Sequence, residues 1–247
     1  MKALGAPIRH FGFNRLWAAF FAVGVLMFGA LGVATLTFMR KDSEWWEPVV
    51  GVSLCCLNIY VLARTMKTSA TVCESGIRYT GLKGAGEMLW DEVDKFRFAI
   101  LITRHQGIIK TTQYTTTLVS SDGRRVELGS NVQQPKELAD LLVKTLQPIL
   151  LRKTIAAYDS GKIVDLGAIR VTRECVSVST GLRTVNIPTA NVLACGIDQG
   201  MVIVSERKDG KLKNHAASMQ KVDNAFALLE LINTKIVQHS FAASGAR

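Results

Sequence analysis

The sequence predicts a two-helix transmembrane hairpin followed by an α+β region. That region is expected to hold two tandem antiparallel sheets or partly open barrels, each closed by a C-terminal amphipathic helix. Three observations predict it. The apolar character of the 247-residue chain, whose mean hydropathy is +0.20 with 20% charged residues, is concentrated in its first quarter. After Lys67 the pattern changes to short alternating apolar and polar runs separated by Gly-containing turns. Two amphipathic stretches near 135–149 and 223–236 then follow runs of that kind.

The membrane segments come first. Leu16 to Met39 carries no charge over 24 residues, which at about 1.5 Å per residue spans a hydrocarbon core of about 30 Å. A second run, Val49 to Ala63, reaches sufficient length when extended back through Trp46, a residue suited to the headgroup level. The polar turn RKDSEWWEP joins them. Spans are therefore expected at about 16–39 and 46–63 within a hairpin of 16–66, after an N-terminal tail of 1–15. A cleaved signal peptide fits less well, because apolar residues continue past the small residues at 32–34 and the second run follows almost at once. Lys2, Arg9 and Arg15 precede the first span, and Arg64 and Lys67 follow the second, against Arg40 and Lys41 in the turn. This bias places both termini in the cytoplasm of a multi-pass inner-membrane protein. The five cysteines show no C-x-x-C pair, so reduced thiols are expected.

The remainder shows an internal correspondence. Asp122-Gly123 and Asp209-Gly210 lie 87 positions apart, as do Leu141-Leu142 and Leu228-Leu229. An upstream pair, GIRYTGLKGAGEMLWDEV and CVSVSTGLRTVNIPTANV, matches more loosely, with about a dozen extra residues around LITRHQGIIKTTQY in the first copy. Each copy reads as a meander of strands, with a Ser-Gly turn near 75 and Asp-Gly hairpins, ending in a helix. In the first copy Pro135 suits the opening turn, Leu138, Leu141, Leu142, Leu146 and Ile149 share one face, and Pro148 is expected to kink or end the helix. In the second copy Asp223 is the expected N-cap. Domain boundaries follow at 67–158 and 159–247.

The stretch GLKGAGEMLWDEVDKFRF invites chemistry, with three glycines around a lysine and then an acidic run. A phosphate cradle needs its glycines to end a strand and open a helix, whose N–H groups hold the anion; here a strand follows. Asp91, Glu92 and Asp94 offer hard oxygens, but not the count, spacing or central glycine of a calcium loop. The four histidines are isolated, and no G-x-S-x-G elbow or metalloprotease spacing occurs. No catalytic, cofactor or metal residues are assigned, and no cofactor is expected. Basic residues at matching hairpin tips remain as candidate contacts to an anionic lipid or a partner: Arg124 and Arg125 in one, Arg207, Lys208, Lys211 and Lys213 in the other. Solvated turns are the plain alternative, and without interleaved aromatics no nucleic-acid partner is expected.

The blocks GIRYTG, MLWDEVDKF and PKELADLLVKTL, with RTVNIPTANV and DNAFALLELINTKI in the second half, resemble the pleckstrin-homology-like (PH-like) domains of bacterial membrane-anchored proteins. The second copy departs from the pattern by lacking the tryptophan. The resemblance covers roughly 70–245 and implies tandem PH-like domains, a scaffold that serves many functions. The expected function is a non-enzymatic inner-membrane scaffold that binds protein or lipid headgroups on its cytoplasmic side. The expected partners are the bilayer, anionic headgroups or a membrane protein. Two alternatives stand beside it: an accessory subunit of a transport or envelope-maintenance complex acting through its helices, and an enzyme with an unrecognised site.

Overall fold

A computed structural model of the chain describes residues 3–37, 46–81, 84–105, 109–181 and 183–238. The end of the first expected span at Phe38–Met39, the charged link through Trp45, and Lys83 of the glycine-rich turn lie outside the described residues. The chain divides into two compact units, 1–88 with 130–135, and 89–129 with 136–247.

The first unit holds β1 (Pro7–Phe11), α1 (Arg15–Thr37), α2 (Trp46–Met66), β2 (Ser69–Cys73), β3 (Gly76–Gly81) and β4 (Gly84–Leu89). Its sheet runs in the order β1-β2-β3-β4. β1 lies in the stretch expected as a tail, and it pairs antiparallel with β2. Phe11, Ala70, Val72 and Ile77 are buried there, and His10 Nδ1 lies 2.8 Å from Thr71 Oγ1. Asn14 turns the chain into α1: its side-chain oxygen accepts from the Leu16 N–H at 3.0 Å, as an N-cap does. Its amide donates to the Ser130 carbonyl, which ties this corner to the 130–135 segment. α1 and α2 pack on one another through small residues. The Asn58 side-chain oxygen sits 2.7 Å from where a Cβ on Gly24 would lie, and Cys55 Sγ rests 3.6 Å from the corresponding point on Gly29. Asn58 donates to Leu54 within its own helix.

The second unit opens with a 3₁₀ turn at Trp90–Glu92 and the sheet β5 (Val93–His105), β6 (Ile109–Ser120) and β7 (Arg125–Leu128). α3 (Pro135–Asp159) follows, with Leu138, Leu142, Leu146, Leu150 and Thr154 buried at a four-residue period. A four-stranded sheet joins β8 (Val164–Leu166), β9 (Ile169–Val171), β10 (Cys175–Ser179) and β11 (Thr184–Pro188). A three-stranded sheet joins β12 (Val192–Asp198), β13 (Met201–Lys208) and β14 (Lys211–Ser218). α4 (Ala225–Leu231) ends the unit, continued by a π-helical turn at Ile232–Val237.

Four expectations are corrected. Among the described residues one helix, over Val49–Met66, is long and apolar enough to cross a membrane. The apolar part described for α1 is Arg15–Leu31, about 25 Å at 1.5 Å per residue and short of a hydrocarbon core. A two-span hairpin and a multi-pass inner-membrane location are therefore not supported. The strands form four separate small antiparallel sheets rather than two tandem PH-like domains. The physical cause is local: at Trp90–Glu92 and at Thr189–Asn191 the backbone winds into a 3₁₀ turn, which interrupts the strand ladder on either side.

Pro148 does not end its helix, because the buried stripe continues through Leu150 and Thr154. α3 ends instead at Gly161 (φ +77°), where Lys162 N–H reaches the Ala157 carbonyl and Gly161 N–H the Tyr158 carbonyl. Asp223 does not cap α4. The N-cap is Asn224, in the left-handed region at φ 51°, and no side chain caps the helix.

The turn between β8 and β9 carries a sharp test of this packing. A Cβ on Gly167 (φ +78°) would lie 2.4 Å from the Lys221 carbonyl oxygen, and Ala168 N–H donates to that same oxygen at 2.8 Å. Gly123 (φ +86°) has open space around it. Gly167→Ala is expected to lower unfolding stability by about 3 kcal/mol or more, and Gly123→Ala by about 1 kcal/mol. Urea midpoints at unchanged slope read the difference; equal losses would contradict it.

Candidate functional site

The structure separates the six candidate basic residues into two groups with different surroundings. Arg124 and Arg125 follow the Asp122-Gly123 turn between β6 and β7. Arg124 Nε donates to Asp122 at 2.6 Å, and its terminal nitrogen donates to Glu92 at 2.8 Å. Arg125 lies 3.4 Å from Glu127. Asp122 also accepts from the Arg124 backbone N–H at 3.0 Å. The backbone and side-chain hydrogen bonds from Arg124 together hold its carboxyl below the usual carboxylate value. This tip therefore spends its positive charge on its own acids.

The second tip differs. β13 and β14 pair in register to the end, through Glu206↔Lys213, Arg207↔Leu212 and Lys208↔Lys211. The two-residue turn, Asp209 (φ 52°) and Gly210 (φ 72°), has both residues at positive φ, as tight hairpins require. Glu206 and His215 are the last buried residues toward the tip, and every residue from 207 to 214 is exposed. Among the described residues no ion pair engages Arg207, Lys208, Lys211 or Lys213. Leu212, which the sequence reading passed over, is 67% exposed among them. Its signal was available: it is the one apolar residue in the run ERKDGKLKN.

At the base of that hairpin His215 Nε2 lies 3.1 Å from Glu206 Oε1, with both side chains buried. The contact lacks hydrogen-bond alignment.

A third polar cluster went unread in the sequence. The Asp223 side chain is 1% exposed; it is bonded by Arg97 and lies 3.6 Å from Lys95. Next to it Asn224 closes a two-way exchange with β5, its side-chain oxygen accepting from Phe96 N–H at 2.7 Å and its amide donating to the Asp94 carbonyl at 3.0 Å. The backbone of Asp223 donates to Leu166. Every buried polar atom named here is matched within the fold, so the cluster joins β5, the β8–β9 hairpin and the start of α4.

The glycine-rich and acidic stretch resolves into structure. Gly86 sits where a Cβ would meet the Tyr79 hydroxyl at 2.6 Å, and Arg78 pairs with Glu87 at 2.7 Å across β3 and β4. Glu92 accepts from Leu89 N–H and from Arg124, while the Asp91 and Asp94 carbonyls accept from Lys153 and Asn224. Among the described residues no three His, Cys, Asp or Glu side chains stand together as a metal would need. Burial pushes the Cys195 thiol up to about 12, far from the thiolate a nucleophile requires.

The family model described as "Family of unknown function (DUF6585)" matches residues 1–240 of the chain. No curated protein matches it.

Because Asp122 is held below its ordinary value, its contribution is complete above the usual carboxylate range and fades as pH falls through the lowered value. Arg124→Ala is expected to move the Asp122 titration midpoint upward in an NMR titration, toward the ordinary carboxylate range. An unchanged midpoint would mean that the arginine does not set it.

Proposed function

We propose that this chain, which belongs to the DUF6585 family, is a membrane-attached, non-enzymatic binding protein that presents its sheets beside a lipid surface. One observation carries this reading. Among the described residues, fourteen of the eighteen exposed large apolar side chains lie on α1 and α2. They include Phe20 (67%), Leu26 (72%) and Met27 (66%) on α1, and Leu57 (56%) and Tyr60 (57%) on α2. Leaving such side chains in water rather than in an apolar medium costs about 1.5–3 kcal/mol apiece. For fourteen partly exposed side chains the sum is on the order of 20 kcal/mol in favour of an apolar medium. Lipid is the medium that removes this cost without a further protein surface.

The helices use their small residues, Gly24 and Gly29, against each other, and this leaves the large residues facing outward. The same outward face supports the second reading, an accessory subunit whose helices pack against those of a larger complex. A binding role for the rest of the chain is supported by its exposed basic hairpin.

The test introduces charge where lipid is expected. Wild-type protein reconstituted into phosphatidylcholine vesicles should stay with them through alkaline carbonate and high salt. A Leu57→Arg/Tyr60→Arg double variant, which alters two outward positions of α2, should be released or fail to incorporate. Wild-type protein that is monodisperse and monomeric in buffer without detergent would contradict the reading.

A further inference from the structure

We infer that the β13–β14 tip is a docking element for an anionic bilayer surface, with Leu212 entering the interface and Arg207, Lys208, Lys211 and Lys213 meeting the headgroups. The inference rests on the membrane-attached reading and names what this part of the chain would touch there.

Two local costs point to that occupant. The first is electrostatic. Lys208 and Lys211 stand directly opposite on the final rung, where like charges repel. Arg207 and Lys213 occupy the next two rungs, and Asp209 is the single acid from 207 to 214. Glu206, the acid opposite Lys213, is buried and turned toward His215 at 3.1 Å. Among the described residues no ion pair absorbs this charge, in contrast to Arg124, which Asp122 and Glu92 hold. The second cost is apolar. Leu212 is 67% exposed at the end of a hairpin whose core stops at Glu206 and His215. Any polyanion relieves the repulsion, whereas only a surface with an apolar layer beneath its charge relieves both. That combination describes an anionic bilayer, where each cation near the surface raises partitioning about fivefold.

The hairpin geometry suits such contact. The tight turn keeps both strands in register to their ends, so Leu212 and the four cations occupy the last three rungs of a rigid ribbon. With the chain already held in the membrane, the contact fixes orientation rather than recruitment.

Hydrogen exchange across residues 206–214 tests this in the full chain, reconstituted into phosphatidylcholine vesicles with or without phosphatidylserine. Exchange at the tip should slow about fivefold or more in the anionic vesicles. Lys208→Ser/Lys211→Ser should abolish that difference. Leu212→Ser should leave a residual protection that disappears in high salt. These positions are exposed, so the hairpin itself should survive each change. Equal exchange in the two vesicle types, with the chain incorporated in both, would overturn the docking inference and leave the membrane-attached reading standing. Equal protection by soluble polyglutamate, with Leu212→Ser indifferent, would also overturn it, by showing contact with any polyanion. Failure to incorporate into either vesicle would remove the parent reading and this one together.

Discussion

The account turns on a constraint that α1 and α2 impose: their contact consumes the small residues and leaves the large ones without cover. Gly24 and Gly29 let the two backbones approach, and the Asn58 side-chain oxygen fills the space that a Cβ on Gly24 would need. What remains outside is a nearly continuous apolar surface, with only 11% of the Val49–Met66 stretch buried within the molecule. A soluble unit of this size covers such a surface with its own chain. Here the covering chain goes elsewhere, because β1 and the 130–135 segment are committed to the sheet and to the Asn14 corner. Lipid, in the reading proposed above, supplies the apolar medium that this surface lacks.

The second unit depends on a smaller constraint of a different kind. Asp223 and Asn224 form one corner, reached by β5 through Arg97 and Phe96 and by the β8–β9 hairpin through Leu166. A buried carboxylate is tolerable only with a cation beside it, and Arg97 supplies one. The left-handed backbone at Asn224 aims both ends of its amide at one strand. Elements more than a hundred residues apart are thereby fixed.

Much of this was legible in the sequence where the signal is local. The apolar runs marked the helices, alternation marked most strands, and the Asp-Gly pairs marked both hairpin turns. Where the partner is distant, the sequence misled. PIRHF reads as a tail because the strand that pairs with it begins at Ser69. Asp223 reads as a helix cap because nothing near it announces Arg97. Pro148 reads as a helix end, since the burial that carries α3 past it is tertiary. The 3₁₀ turns that keep the sheets apart show only as an acidic bend and a Thr-Ala-Asn link. Of the candidate site, composition could point to the basic residues beside both Asp-Gly turns. It could not distinguish the tip neutralised by Asp122 and Glu92 from the tip left charged around Leu212.

The most direct test of the central claim maps which side chains meet acyl chains. The native protein is reconstituted with a phospholipid carrying a photoactivated diazirine at the end of its acyl chain, and the labelled residues are then identified by mass spectrometry. Labels are expected on the outward residues of α2, Leu57 and Tyr60 among them, and not on Val202, Val204 or Ile187 in the sheet cores. Helices free of label in vesicles that hold the protein would contradict the account.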